Sequence, residues 1–172
     1  MHTGAGVNLP VANPKLKDYV PLFTVVGVIL LGTIAVCSVV GFSTAHLLGY
    51  SMGFFFLIFG MFKVLDLSMF AMGYGEYDLI AKVFKPWGYI YPFVELGLAF
   101  AYLAGINQPW LNILTLVLSV LIVIGVAIKL AKREVIQCVC LGNILKVPLT
   151  YVSLIEYAAM GLMALTMFLF KT

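Results

Sequence analysis

The chain has 172 residues, of which 63% are hydrophobic and only 10% are charged, with a formal net charge of +3. Soluble domains carry about 25% charged residues, so this composition excludes an ordinary water-soluble globule and leaves no length for a separate soluble domain. The small, scattered positive charge argues against a nucleic-acid partner, two histidines exclude a histidine-rich metal site, and three cysteines are too few for a disulfide framework.

Residues 1–17 contain Gly, Pro and Asn without an apolar period and read as a flexible cytoplasmic tail. One transmembrane domain, 18–172, is expected to follow: an all-α polytopic membrane helical bundle with five transmembrane helices. A span at 20–42 precedes a four-helix core at 50–72, 87–106, 110–130 and 149–170. Each stretch is about the ~20 residues that a helix needs to cross ~30 Å of hydrocarbon.

The first span carries Cys37 near its outer end, where a lone cysteine reads as packing. It ends in Ser43-Thr44-Ala45, a small-residue run that resembles a signal-peptidase site. Its apolar core exceeds the 7–15 residues of a signal h-region, so retention as a span is the expectation. His46 to Gly49 reads as a short connection. In the second span Gly53 and Gly60 lie seven apart, a spacing that lets another helix approach closely. The same span carries Lys63 and Asp66, which at three residues apart share a helix face. The connection 73–86 holds much of the loop charge, and the third span adds Pro92 and Glu95. Asn107-Gln108-Pro109 is a second short connection. The connection 131–148 carries Cys138 and Cys140, and the last span carries Glu156.

Ionised groups within the bilayer cost several kcal/mol unless paired or hydrated, so Lys63, Asp66, Glu95 and Glu156 are functional candidates. Counted from the span ends at ~1.5 Å per residue, they lie ~10–15 Å deep in the same half of the membrane. One ammonium then faces three carboxyls, a set suited to holding a proton, a cation, or a polar head group such as a quinone. The plainer reading is that these charges only fix helix packing. Tyr74, Tyr77, Trp87, Tyr89, Tyr91 and Trp110 fall near span ends, where aromatic rings favour the interface.

Lys and Arg set the orientation. The N-terminal side of five spans holds Lys15, Lys17, Lys82, Lys85, Lys129, Lys132, Arg133 and Lys146, and the other side holds Lys171. The positive-inside rule puts the N-terminus in the cytoplasm, the C-terminus outside, and the cysteine pair at the cytoplasmic face of a bacterial inner membrane.

Cys138 and Cys140 follow Lys129, Lys132 and Arg133, and nearby positive charge favours the thiolate. Two thiols one residue apart close only a strained, readily reduced disulfide, which suits exchange. The same pair suits a soft ion, Cu, Zn or Hg. Glu156, Met160, Met163 and Met167 form one stripe, either adaptable packing or thioether ligands.

Gly53-Phe54, Phe59-Gly60, Lys63, Asp66, Tyr77, Pro92 and Glu95, followed by Cys138-Val139-Cys140-Leu141-Gly142 and Val147-Pro148-Leu149-Thr150, resemble the MauE/DoxX-like redox-associated membrane proteins over roughly 50–170. Leu141 stands where the MauE branch has Phe. The resemblance implies a membrane helical bundle tied to thiol–disulfide chemistry, with a thioredoxin-like or glutaredoxin-like partner and Cys138 and Cys140 as the redox pair. The MauE branch is linked to maturation of a disulfide-rich methylamine dehydrogenase subunit. A cytoplasmic dithiol sits in a reducing compartment, which suits a reductant-fed carrier or a metal site better than outward oxidation. The expected function is therefore thiol-redox exchange. The alternatives are a soft-metal transporter and a non-catalytic assembly partner.

Overall fold

The computed structural model describes residues 20–106, 109–131 and 149–169. They form seven helices: α1 (Val20–Val40), α2 (Thr44–Leu65), α3 (Leu67–Tyr74), α4 (Leu79–Val83), α5 (Trp87–Leu103), α6 (Pro109–Ala131) and α7 (Leu149–Leu169). Among the described residues there are no strands. Among the described residues three helices are long and apolar enough to cross a membrane, at Leu22–Val40, Thr44–Leu65 and Pro109–Lys129. At 17 residues, α5 spans ~25 Å.

The sequence expectation differs most around the second span. His46 to Gly49 is helical, and the turn is Gly41-Phe42-Ser43. Gly41 takes a φ of +106°, a left-handed value that favours glycine. The Ser43 hydroxyl accepts the His46 N–H at 3.1 Å and starts α2, so Ser43-Thr44-Ala45 form a cap and first helical turn. At the far end the continuous helix expected to residue 72 breaks at Asp66, whose φ and ψ are −134° and 65°. There a new helix starts: the Asp66 carboxylate accepts the Met69 N–H at 3.3 Å and caps α3. The stretch 73–86, expected to be a loop, holds the short helix α4. The buried Asp78 carboxylate caps it, accepting the N–H groups of Ile80 and Ala81 at 3.0 and 2.7 Å.

Packing follows the small residues. α2 lies along α5, and α6 lies along α7. A Cβ on Gly53 would meet Leu103 Cγ at 2.8 Å, and one on Gly60 would meet Leu96 Cδ2 at 3.0 Å, so both glycines set the closeness of α2 to α5. α1 lies against α2 along Val25, Ile29, Thr33 and Cys37, a buried row at every fourth position. Its other faces are exposed apolar side chains, such as Leu31 and Val39, as a lipid-facing helix requires. The main core, around Phe56, Tyr74, Tyr91, Tyr102, Leu111, Ile122, Tyr157 and Met160, belongs to the other helices.

The segment between α3 and α4 closes one end of this core. The Tyr77 carbonyl oxygen presses so closely on Gly125 of α6 that no Cβ fits there. Beside it Lys129 pairs with Glu76 at 3.6 Å. The C-terminal end of α6 and the α3–α4 segment therefore share one end of the molecule.

Candidate functional site

Lys63 lies in the last turn of α2, Glu95 in the middle of α5, and Tyr157 eight positions after the start of α7. All three are about 1% exposed. The Lys63 ammonium donates to both Glu95 carboxylate oxygens, at 2.5 and 2.6 Å, and to the Tyr157 hydroxyl oxygen at 3.1 Å. An ammonium has three hydrogens to give. A two-oxygen, charge-assisted contact is among the stronger hydrogen bonds a protein makes.

Aromatic rings enclose the charge. The ammonium lies 5.5 Å from the Phe70 ring centre, 5.3 Å from Tyr91 and 5.5 Å from Tyr157. Ring faces are electron-rich, and a desolvated cation within about 6 Å of one gains up to about 2 kcal/mol. Tyr74 stacks on Phe70 and Tyr91, at 4.9 and 4.7 Å between centres, so the wall is itself braced. Phe70 and Tyr74 come from α3, which starts at the Asp66 break just beyond Lys63. The site thus joins α2, α3, α5 and α7 around a single buried cation.

Of the intramembrane charges that the sequence offers, Lys63 and Glu95 form a buried pair. Asp66 is exposed and caps α3, because the helix break cancels the three-residue spacing that would have put it beside Lys63. Glu156 is half-buried next to Tyr157 in the chain. One residue on an α-helix is a rotation of ~100°. The fully buried face of α7 is accordingly Tyr157, Met160, Ala164 and Met167, with Glu156 and Met163 at its edge. Cys138 and Cys140 lie outside the described residues. Among the described residues no three His, Cys, Asp or Glu side chains come together as a metal site.

Sequence reasoning missed Tyr157, Tyr91, Phe70 and Tyr74. Tyr91 precedes Glu95 by four residues and shares its helix face, which was a readable signal. Phe70 and Tyr74 follow Lys63 by seven and eleven residues, a helical spacing that was also readable.

A second polar group occupies the opposite end. In a buried cluster Tyr102 donates its one hydroxyl hydrogen to Asn112 Oδ1 at 2.9 Å, and the Thr115 hydroxyl, 3.1 Å away, donates to the Tyr102 oxygen. Asn112, Thr115 and Ser119 make one buried polar row on α6. α5 ends beside this cluster with paired bonds, Gly105 N–H to the Tyr102 carbonyl and Ile106 N–H to the Ala101 carbonyl, each 3.0 Å. Gly105 holds the left-handed φ of +71° that this cap requires.

Apolar helices packed around a buried lysine–glutamate pair define a multi-pass helical membrane protein with a charged centre. The model of the family described as methylamine utilisation protein MauE matches residues 42–170, and the chain belongs to that family. The match begins at the turn before α2 and leaves α1 outside it. No curated protein and no solved structure matches the chain.

Proposed function

We propose that this MauE-family membrane protein carries out thiol–disulfide exchange at a bacterial inner membrane, with Cys138 and Cys140 as the redox pair. In the reducing direction, the two thiols close one intramolecular disulfide. The two electrons and two protons pass to the disulfide of a thioredoxin-like or glutaredoxin-like partner, which leaves as a dithiol. Lys63 and Glu95, with Tyr157, form a buried polar centre able to take up and return a proton. Asp66 has no part in it, and Glu156 stands at its edge.

The observation that carries the reading is the pair itself. Burying a lysine and a glutamate costs several kcal/mol per ion before their attraction is counted, and apolar residues of similar volume often serve stability as well or better. A membrane protein that keeps such a pair, with a tyrosine hydroxyl on the same ammonium, holds groups suited to proton handling. Two further points support the reading. The chain belongs to the MauE family. The residues Cys138 and Cys140 also connect α6 to α7, the helix that supplies Tyr157.

The topology proposed with it is one domain over 18–172 after a tail over 1–17. It has five spans, with the N-terminus cytoplasmic and the C-terminus outside. The Lys129–Glu76 contact supports it, since it joins two segments that this topology assigns to the cytoplasmic face. Trapping with a thiol-alkylating mass tag in intact cells tests the function. The expected result is that the pair shifts between thiol and disulfide forms with the redox state of the medium. A pair that never changes state, with activity surviving Cys138→Ser/Cys140→Ser, defeats it. Soft-metal transport remains the second reading on the same two sulfurs. Stoichiometric Cu or Hg in the purified protein, lost on Cys140→Ser, would decide for it. A non-catalytic assembly role is the third, and neutral phenotypes for Glu95→Gln and Glu156→Gln would decide for that.

A further inference from the structure

At the end of the helices opposite Lys63 there is a partly open cavity of about 130 Å³. Its walls include His46, Gly49 and Tyr50 of α2, Tyr102 of α5, Ile106 and Met167 of α7. The proposed function gives these residues no role.

The size and the wall chemistry together specify an occupant. An engineered apolar cavity of ~150 Å³ takes up benzene, so the volume here is that of one six-membered ring. Gly49 keeps it open: a Cβ there would stand 3.8 Å from Met167 Cε, and a longer side chain would fill the space. The thioether of Met167 and the ring of Tyr102 offer soft, polarisable walls that favour an aromatic guest. Tyr102 is held in place by its hydrogen bonds to Asn112 and Thr115, so its ring is a fixed surface.

The polar groups specify hydroxyls on that ring. His46 Nδ1 lies 2.8 Å from the Gly41 carbonyl oxygen. A carbonyl only accepts, so Nδ1 carries a hydrogen and donates it there, which leaves Nε2 as the ring nitrogen for a ligand. The Tyr50 hydroxyl sits at the α5 cap, 4.0 Å from where a Cβ on Gly105 would lie. It can donate to a ligand oxygen or accept from it. A slot of mixed polar and apolar lining sized for one ring, with an imidazole and a phenol hydroxyl on its walls, fits a hydroxylated aromatic ring. Among the described residues no cationic side chain lines it.

We propose that this cavity binds a single hydroxylated aromatic ring, a phenol or the head group of a quinol. The proposal concerns binding alone and stands independently of the Cys138–Cys140 reading.

The test uses the full chain in lipid nanodiscs, with hydroquinone and monoprenylated hydroquinone as probes and calorimetry as the readout. Saturable one-site binding is expected for both. A prenyl tail that tightens binding marks the membrane as the source of the ring, and equal affinities mark a water-soluble phenol. Gly49→Leu should weaken binding at least tenfold. Tyr50→Phe, which keeps the ring and the fold, should weaken it about fivefold, the worth of one hydrogen bond of about 1 kcal/mol. Tyr50→Phe should leave toluene binding unchanged. Cys138→Ser/Cys140→Ser should bind as the wild type does, which separates this site from the proposed redox pair. Absence of saturable binding in the wild type, or binding indifferent to both cavity substitutions, overturns the proposal. Loss in Gly49→Leu with no effect of Tyr50→Phe overturns the hydroxyl recognition.

Discussion

Glu95 has one carboxylate, and Lys63 takes both of its oxygens. Removing either partner alone leaves an uncompensated buried charge, which costs about 3–5 kcal/mol. Glu95→Ala and Lys63→Ala should each lower the unfolding midpoint sharply in detergent. Lys63→Met/Glu95→Leu together should recover most or all of the loss, because two apolar side chains leave no charge to desolvate. A double variant as unstable as the sum of the singles would show that the pair is not an isolated electrostatic unit. Tyr157→Phe keeps the ring over the ammonium and removes one acceptor. It should cost about 1–3 kcal/mol, the usual penalty for leaving a buried polar group short of a bond. Asp66 belongs to a different class. Asp66→Asn keeps the cap and should be near neutral, whereas Asp66→Ala should cost about 0.5–2 kcal/mol through α3 alone. A loss at Asp66→Asn as large as that at Glu95 would return Asp66 to the charged site. At this scale the sequence showed that Lys63 and Glu95 were abnormal, because charge is rare in apolar helices. It did not show their partner Tyr157, because tyrosine is ordinary in such helices and only its facing angle makes it special.

The helices meet where their side chains are smallest. Gly53 and Gly60 let α5 approach α2, and both were legible from spacing alone. Gly53→Val places branched carbons against Leu103 and its backbone, with a Cβ clash at 2.8 Å. Overpacking of this kind costs about 1–3 kcal/mol. Gly27 of α1 makes a control: a Cβ there meets nothing within 4 Å. Gly27→Ala should be neutral or stabilising by up to about 1 kcal/mol, since alanine is the better helix former. Thermal melts of the two variants should move apart; equal shifts would mean that helix propensity, not contact, governs Gly53. The break at Asp66 was not legible. Leu65-Asp66-Leu67 has neither Gly nor Pro to mark an end, and local propensity favours one helix through residue 72. The tertiary contacts of Phe70 and Tyr74 with Tyr91 outweigh that preference, and the aspartate supplies the cap that makes the break tolerable.

Across the whole molecule the charged pair lies buried within the bundle and the ring-sized cavity at one end of the same helices, the end that the proposed orientation places outside. Single cysteines introduced at the exposed positions Lys85 and Phe42, in a cysteine-free background, should react with a membrane-impermeant maleimide from opposite sides. Lys85 should be the cytoplasmic one. Labelling of both from one side would reject the five-span arrangement. Composition, apolar periodicity and the rarity of charge by themselves determined that this chain is helical, apolar enough for a membrane and marked by the charges at Lys63, Asp66, Glu95 and Glu156. Those properties are local, since hydrocarbon tolerates only backbones that satisfy their own hydrogen bonds. Which charges meet, where α2 breaks, and which rings close over the ammonium depend on helix rotation and on contacts between residues far apart in the chain. A rotation of ~100° per residue moves a side chain from the interior to the lipid, so only the packed structure decided that Tyr157 stands at the centre and Asp66 outside it.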